Sequence, residues 1–300
     1  MGFDFKPLEL SDCEVINGAL AHENVQIGDI TFVNLYIWRH ARDISFANVS
    51  NCILVRTMLS NKEHYYFFPK GSGDKKAVIA DLLSQDKEAR FSALTSEEAE
   101  FLQVNFPNRF QIILNEDRSD YIYSTNELIN LSGRKFHKKK NHLNQFIRAN
   151  PDFTYEAFNS QNIAKVIQKQ HEWLNLRNDN EIDLANLKFE HLGIIDVLEN
   201  FDVLVCSNLR GGAICVDGEI VAFSFGEIIN PKMCLIHIEK GSPFVHGAYQ
   251  AINQQFLKHE FADTEFVNRE EDLGLEGLRK AKLSYNPLYL LKKFEATIIY

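Results

Sequence analysis

Between residues 152 and 300, strand-like and helix-like segments follow one another in an order that few architectures accommodate. A strand at 153–158 leads into helices at 161–176 and 189–200, with a short strand at 203–206 behind them. Strands at 212–216 and 219–225 then flank Asp217-Gly218. Both residues of that pair tolerate positive φ, so they favour the type I′ turn that joins twisted antiparallel strands. A strand at 233–239 follows, then a Gly/Pro break, a helix at 247–261, a strand at 265–267, a helix at 274–282 and a last strand near 288–299. Three consecutive antiparallel strands set among helices specify an α/β (α+β) layer structure, a mixed and mainly antiparallel sheet flanked by helices.

The first 125 residues carry a looser version of the same alternation. An extended stretch at 3–10 ends where Ser11 and Glu14 are spaced to cap each other's backbone amides, opening a helix to about residue 21. Strands read at 52–58 and 64–69, and a helix at 74–84 has Ala77, Ile79, Leu82 and Leu83 as its apolar side. Thr95 and Glu98 form a second capping box for a helix to 105, and strands follow at 110–114 and 121–123. The 23 Phe and 10 Tyr suit sheet interiors packed against helices. A chain of 300 residues is long enough for two domains. The expected division is 1–125, a degenerate copy, and 126–300, which includes a basic helix at 133–149.

Several classes are excluded early. No window approaches the roughly 18–20 apolar residues that span a bilayer. The opening residues have neither a basic nor an apolar leader region, and Lys6 stands where a myristoylation signal wants Ser or Thr. Cys13, Cys52, Cys206, Cys215 and Cys234 are scattered, which points to a reducing, cytoplasmic setting and no metal site. A net charge of −9 argues against a general DNA binder. No P-loop, dinucleotide fingerprint or nucleophile motif is present, and no cofactor is required.

Three segments can carry chemistry. The helix at 133–149 holds Arg134, Lys135, Lys138, Lys139, Lys140 and Arg148 with His137 and His142, and no acid. Phe136, Leu143 and Ile147 fall on one stripe that can bury, which leaves the like charges to repel one another on the outside. Such a face is either a solvated surface balanced elsewhere or a phosphate-binding surface for RNA, coenzyme A or a phosphorylated substrate. The second segment, 240–248, joins a strand to a helix at Gly247 and Ala248, where free amides favour an anion or simply make a turn. The third, 268–287, packs Arg269, Asp272, Arg279 and Lys282 beside Gly274 and Gly277. A carboxylate there can accept a proton or orient an amine, or the run is an ion-paired helix start. Glu239 ends the central strand, with His237 two residues earlier and expected on the same face.

The strand and helix order of 152–300 resembles the GNAT acyltransferase fold, whose central strand often ends in the general base. In that fold the 240–248 loop would follow the pattern Q/R-x-x-G-x-G/A, yet Phe244 and Tyr249 stand at two of its three places. The run Asn268-Arg269-x-x-Asp272-x-Gly274-x-x-Gly277-Leu278-Arg279-x-x-Lys282-x-x-Tyr285-x-Pro287, with the basic helix, resembles the phosphatidylglycerol lysyltransferase C-terminal family. That family looks like tandem GNAT folds related to the Fem-type aminoacyltransferases. The resemblance implies transfer of an amino acid from tRNA to a hydroxyl or amine, with Asp272, Arg269, Arg279 and Lys282 at the site. Lipid-modifying members resemble this domain fused to a many-helix membrane segment, so the expected acceptor here is a soluble small molecule or peptide.

Asp272 or Glu239 is then the expected base, and Arg269, Arg279 and Lys282 would steady the oxyanion or the donor phosphates. Aminoacyl-tRNA or acyl-CoA is the expected donor, held by Arg134, Lys135, Lys138, Lys139 and His142 with Gly247 and Ala248. A catalytically silent protein that binds RNA or a phosphorylated ligand shares every one of these features.

Overall fold

The computed structural model describes residues 2–58, 63–176 and 181–299, and of 181–186 the backbone alone. The chain divides into two compact units, 1–120 with 271–274 and 291–300, and 121–270 with 275–290. The boundary expected at 125/126 placed everything after it in the second domain; by its contacts, the end of the chain belongs to the first unit.

In the first unit β1 (Lys6–Pro7) precedes α1 (Cys13–Leu20), α2 (Phe32–Arg42), β2 (Ser45–Val49), β3 (Cys52–Met58), β4 (His64–Tyr66) and β5 (Lys70–Gly71). Next come α3 (Lys75–Gln85), β6 (Arg90–Leu94), α4 (Ser96–Asn105) and β7 (Phe110–Ser124), whose last residues lie in the second unit. Strands β1 to β4 pair antiparallel in sequence, and β4 then pairs parallel with β6 at Tyr66↔Phe91. Phe91, Leu54, Ile79, Leu82 and Leu102 close the core between sheet and helices.

Four local expectations change here. The box before α1 is formed by Glu9 and Asp12, Glu9 N donating to Asp12 Oδ2 at 2.9 Å, not by Ser11 and Glu14. The apolar side of α3 includes Val78 instead of Ala77. The strands expected at 110–114 and 121–123 are one strand; its polar middle is held by partners, Asn115 Nδ2 on Glu295 at 2.7 Å and Arg118 on Asp29 at 2.9 Å. Helix α2 was not anticipated. Its aromatic and β-branched residues favour strands, but Thr31 caps it by accepting from Asn34 N, and six of its residues are buried.

The second unit repeats the order. After α5 (Thr125–Asn130) and α6 (His137–Ala149) come β8 (Thr154–Ala157), α7 (Ser160–Asn175), α8 (Glu181–Glu199) and the short α9 (Phe201–Leu204). They are followed by β9 (Leu209–Val216), β10 (Glu219–Asn230), β11 (Met233–Gly241), α10 (Ala248–Glu260), β12 (Phe266–Asn268), α11 (Glu276–Leu283) and β13 (Tyr289–Ile298). Strands β8 to β11 are antiparallel in sequence and β11 is parallel to β12. Asp217 and Gly218 have φ of 51° and 81°, as a type I′ turn requires. The chain at 203–206 is helical, because Phe201 and Leu204 point inward while the alternating Val203 and Val205 are exposed.

The closing strands complete the strand order of each unit. Residues 122–124 of β7 pair antiparallel with β12, and residues 294–297 of β13 pair antiparallel with β6. Each unit therefore carries one GNAT-like order: strand, two helices, three antiparallel strands, helix, a strand parallel to the third, and a final antiparallel neighbour.

Candidate active site

In the second unit the parallel pair β11–β12 runs in register from Met233↔Phe266 to Leu235↔Asn268, and then the strands part. Strand β11 stays with β10 as far as Gly241, while the chain after Asn268 turns away. The Asn268 side chain accepts from Glu270 N at 2.7 Å, and Glu270 takes the left-handed conformation at φ 58°. Left-handed backbone outside glycine is uncommon and concentrates at functional positions. Into the gap project Glu239 from β11 and Arg269 from the turn, Arg269 Nη2 donating to Glu239 Oε1 at 2.9 Å. The second carboxylate oxygen accepts from Asn253 Nδ2 of α10 at 2.9 Å.

A bulge sets this geometry. Gly226 opposes Ile236 and Phe225 opposes Ile238, so His237 is one residue too many in β11. The strand's alternation resets there, and His237 and Glu239 do not share a face as expected. His237 is buried against Glu227 (2.8 Å) and Glu270 (3.3 Å). Burial opposes its charge, yet the hydrogen bonds to the two carboxylates push its pKa up to about 9. It is a locked cation within the β10–β11–turn junction.

Around Arg269 the structure builds a layered stack. Its guanidinium lies 5.7 Å from the Tyr123 ring and 4.8 Å from the Tyr285 ring, and Lys139 Nζ sits 4.0 Å from the centre of Tyr285. Burial raises the pKa of both phenols against the opposing charge of Arg269, so they stay protonated. Burial, and then Arg269, lowers the Lys139 pKa. Lys282 Nζ donates to the Arg269 and Glu270 carbonyls, and Tyr123 OH donates to the Lys282 carbonyl at 2.9 Å. Arg269 Nη1 is buried with no hydrogen-bond partner among the described residues. A buried charged donor without an acceptor is uncommon and is suited to an oxygen of a bound molecule.

The sequence-predicted residues thus separate. Glu239, Arg269, Lys282 and Lys139 come together. Arg279 is half-buried on α11. Asp272 belongs to the first unit, is 1% exposed and accepts from Gly274 N at 2.8 Å through Oδ1. Arg134 and Lys138 are exposed, and Lys135 pairs with Glu127 at 2.7 Å. The basic helix, expected from 133, begins at His137 without a side-chain cap, after a 3₁₀ turn at Arg134–Phe136. Its buried stripe is Phe136, Leu143 and Phe146; Ile147 is exposed.

His142 Nδ1 lies 2.9 Å from His246 Nε2. Gly247 has φ 82°, and a Cβ there would stand 2.5 Å from the His142 carbonyl oxygen. Close approach of α6 to the start of α10 therefore accounts for this glycine. Ala248 is buried.

Tyr123, Tyr285 and Asn253 were missed as site residues. Asn253 is buried behind Ala251 and Ile252 on α10, on the face that also carries Phe256 and Leu257. Tyr285 stood in the 268–287 run itself, close behind Arg269, while Tyr123 had no local signal, since it reaches Arg269 from a segment far earlier in the chain.

Residues 24–297 match the family described as phosphatidylglycerol lysyltransferase, C-terminal. The fold is similar to that of a protein of unknown function from Bacteroides thetaiotaomicron, 32% identical, over 99% of this chain and 100% of that one, with a TM-score of 0.90. It is also similar to a chain described as the C-terminal domain of a candidate lysylphosphatidylglycerol synthetase from Agrobacterium fabrum. That chain is 14% identical over 96% of this chain and 91% of its own, with a TM-score of 0.66. An uncharacterized protein of Mycoplasmoides gallisepticum is 24% identical over 188 residues, 62% of this chain and 58% of that relative's length. Among the described residues no helix is long and apolar enough to cross a membrane. The chain belongs to the phosphatidylglycerol lysyltransferase C-terminal family, and its two units carry the GNAT-like order of strands and helices.

Proposed function

We propose that the second unit is an aminoacyltransferase that moves an amino acid from aminoacyl-tRNA to the hydroxyl or amine of a soluble acceptor. The observation that carries this reading is the Glu239–Arg269 pair, placed where the parallel strands part and stacked through Tyr285 onto Lys139 of the basic helix. Glu239 accepts the proton as the acceptor's oxygen or nitrogen attacks the ester carbonyl. The resulting oxyanion meets Arg269 Nη1, the donor with no partner in the protein. Collapse of the tetrahedral intermediate breaks the bond to the terminal ribose, whose leaving hydroxyl takes the proton back from Glu239. Lys138, Arg134 and Lys139 hold the donor's phosphates, and Lys139 links that contact to the site. Asp272, buried and engaged by Gly274 N, is assigned to holding its loop.

Binding of purified protein to a mixed aminoacyl-tRNA pool and, separately, to acetyl-CoA tests the donor. The expected result is tRNA binding whose affinity falls steeply between low and physiological salt, because each neutralised phosphate releases counterions. Binding to acetyl-CoA alone, with little salt dependence, would overturn the assignment and make the chain an acyl-CoA transferase.

A further inference from the structure

The first unit has its own opening at the corresponding point of its fold. Strand β4 pairs parallel with β6 only at Tyr66↔Phe91, and the two then part. Two residues of β3 between Arg56 and Ile53 face three of its partner between Tyr66 and Lys70, so this third strand also bulges, around Pro69. Beyond the bulge a cavity of about 350 Å³ lies between residues 68–70, the segment 95–98 and the chain at 23–30. That is at the lower end of the roughly 300–1,000 Å³ typical of small-molecule sites.

Its chemistry is two-sided. Ile27, Ile30, Phe68 and Phe101 contribute apolar surface, with Phe68 and Phe101 edge to face at 5.3 Å. Two ion pairs border that surface, Lys70 with Glu98 and Lys75 with Glu23, the second at 2.7 Å. Lys70 and Glu98 are each only 10% exposed at the side chain. A buried pair of this kind costs desolvation and is poor evidence of a contribution to stability. Two ammonium and two carboxylate groups around one small apolar cavity match a ligand that carries both charges on a short apolar body.

We propose that this cavity is a second ligand site that takes a free α-amino acid, its carboxylate toward Lys70 and Lys75 and its ammonium toward Glu98 and Glu23. The ligand's side chain packs on Phe68 and Phe101. The site is independent of transfer in the second unit and needs no covalent step.

Heteronuclear NMR or calorimetric titration of the full chain with L-leucine, L-lysine, L-glutamate and L-serine at millimolar concentration tests this. Saturable binding of at least one is expected, weakened tenfold or more in Lys70→Met/Glu98→Gln, in which the glutamine can still close the box with Thr95 N. Ser96→Trp, at the exposed start of α4, should block binding without touching either ion pair. Arg269→Gln, in the other unit, should leave the affinity unchanged. Absence of saturable binding by all four probes would overturn the proposal. So would binding that survives both first-unit variants, or that disappears with Arg269→Gln.

Discussion

The two units use one order of elements and put a charged pair at the same topological point, with the signs reversed. In the second unit the acid, Glu239, is on the bulged third strand and the base, Arg269, follows the parallel strand. In the first, the base, Lys70, lies beyond the bulge of the third strand and the acid, Glu98, follows the parallel strand. Their surroundings differ as well. Glu98 also accepts from Thr95 N at 2.8 Å and so belongs to a helix cap, whereas Arg269 keeps one buried nitrogen without a partner. The fold decides where polar groups meet; the side chains decide what surrounds the meeting, a helix cap and an apolar cavity in the first unit and an unpartnered donor in the second.

Replacing Arg269 should have the largest effect. Arg269→Leu removes the proposed oxyanion donor and is expected to slow aminoacyl transfer by about 10²–10³-fold, the usual consequence of losing one such donor. Retention of most of the rate would break the distinction drawn between the two pairs.

A second comparison concerns pH. His237 in the second unit has a folded pKa raised to about 9 from the ordinary 6.5. Its contribution is therefore complete below pH 6.5 and is lost as pH rises through about 9. In the first unit burial opposes the charge of Glu271, yet Lys293, Arg118 and Arg42 hold its carboxyl well below the usual range. That contribution is present above the ordinary carboxylate value and is lost as pH falls toward the lowered one. The chain's two tryptophans report separately, Trp38 in the first unit and Trp173, stacked on Phe223, in the second. Single-tryptophan variants followed by fluorescence should show the second unit losing stability on the alkaline side and the first on the acid side. Loss of both in the same window would contradict these assignments.

The smallest effect is expected at the contact between α6 and α10. Gly247→Ala forces a Cβ against the His142 carbonyl at positive φ and should cost about 1–3 kcal/mol, read as a lower urea midpoint with an unchanged slope. An unchanged midpoint would show that this contact relaxes freely.

What was legible in the sequence was local. The Asp217-Gly218 turn, the Thr95 box and, apart from the strand expected at 203–206, the order of the second half depend on neighbouring residues, and the structure has each of them. Helix α2 was hidden because Phe32, Val33, Tyr36, Ile37 and Trp38 are residue types that favour strands, while the Thr31 cap and the burial of residues 32–37 hold the segment helical. Arg269, Lys282 and Glu239 stood out as charges in the sequence, and the structure brings them together. The bulge that turns His237 away from Glu239 has no signal of its own, since it is a property of the register between two strands. Tyr285 stood in the 268–287 run, but its stacking was silent, as was the whole contribution of Tyr123, which exists only once β7 is brought to Arg269.

The most direct measurement is single-turnover transfer of a labelled amino acid from aminoacyl-tRNA to a pool of small acceptors, with wild type, Glu239→Gln and Lys70→Met/Glu98→Gln side by side. Wild type and the first-unit variant should transfer at similar rates, and Glu239→Gln should fall by about 10²–10⁴-fold, the range expected for loss of a general base. Equal rates in wild type and Glu239→Gln, or a collapse confined to the first-unit variant, would contradict the placement of the active site in the second unit.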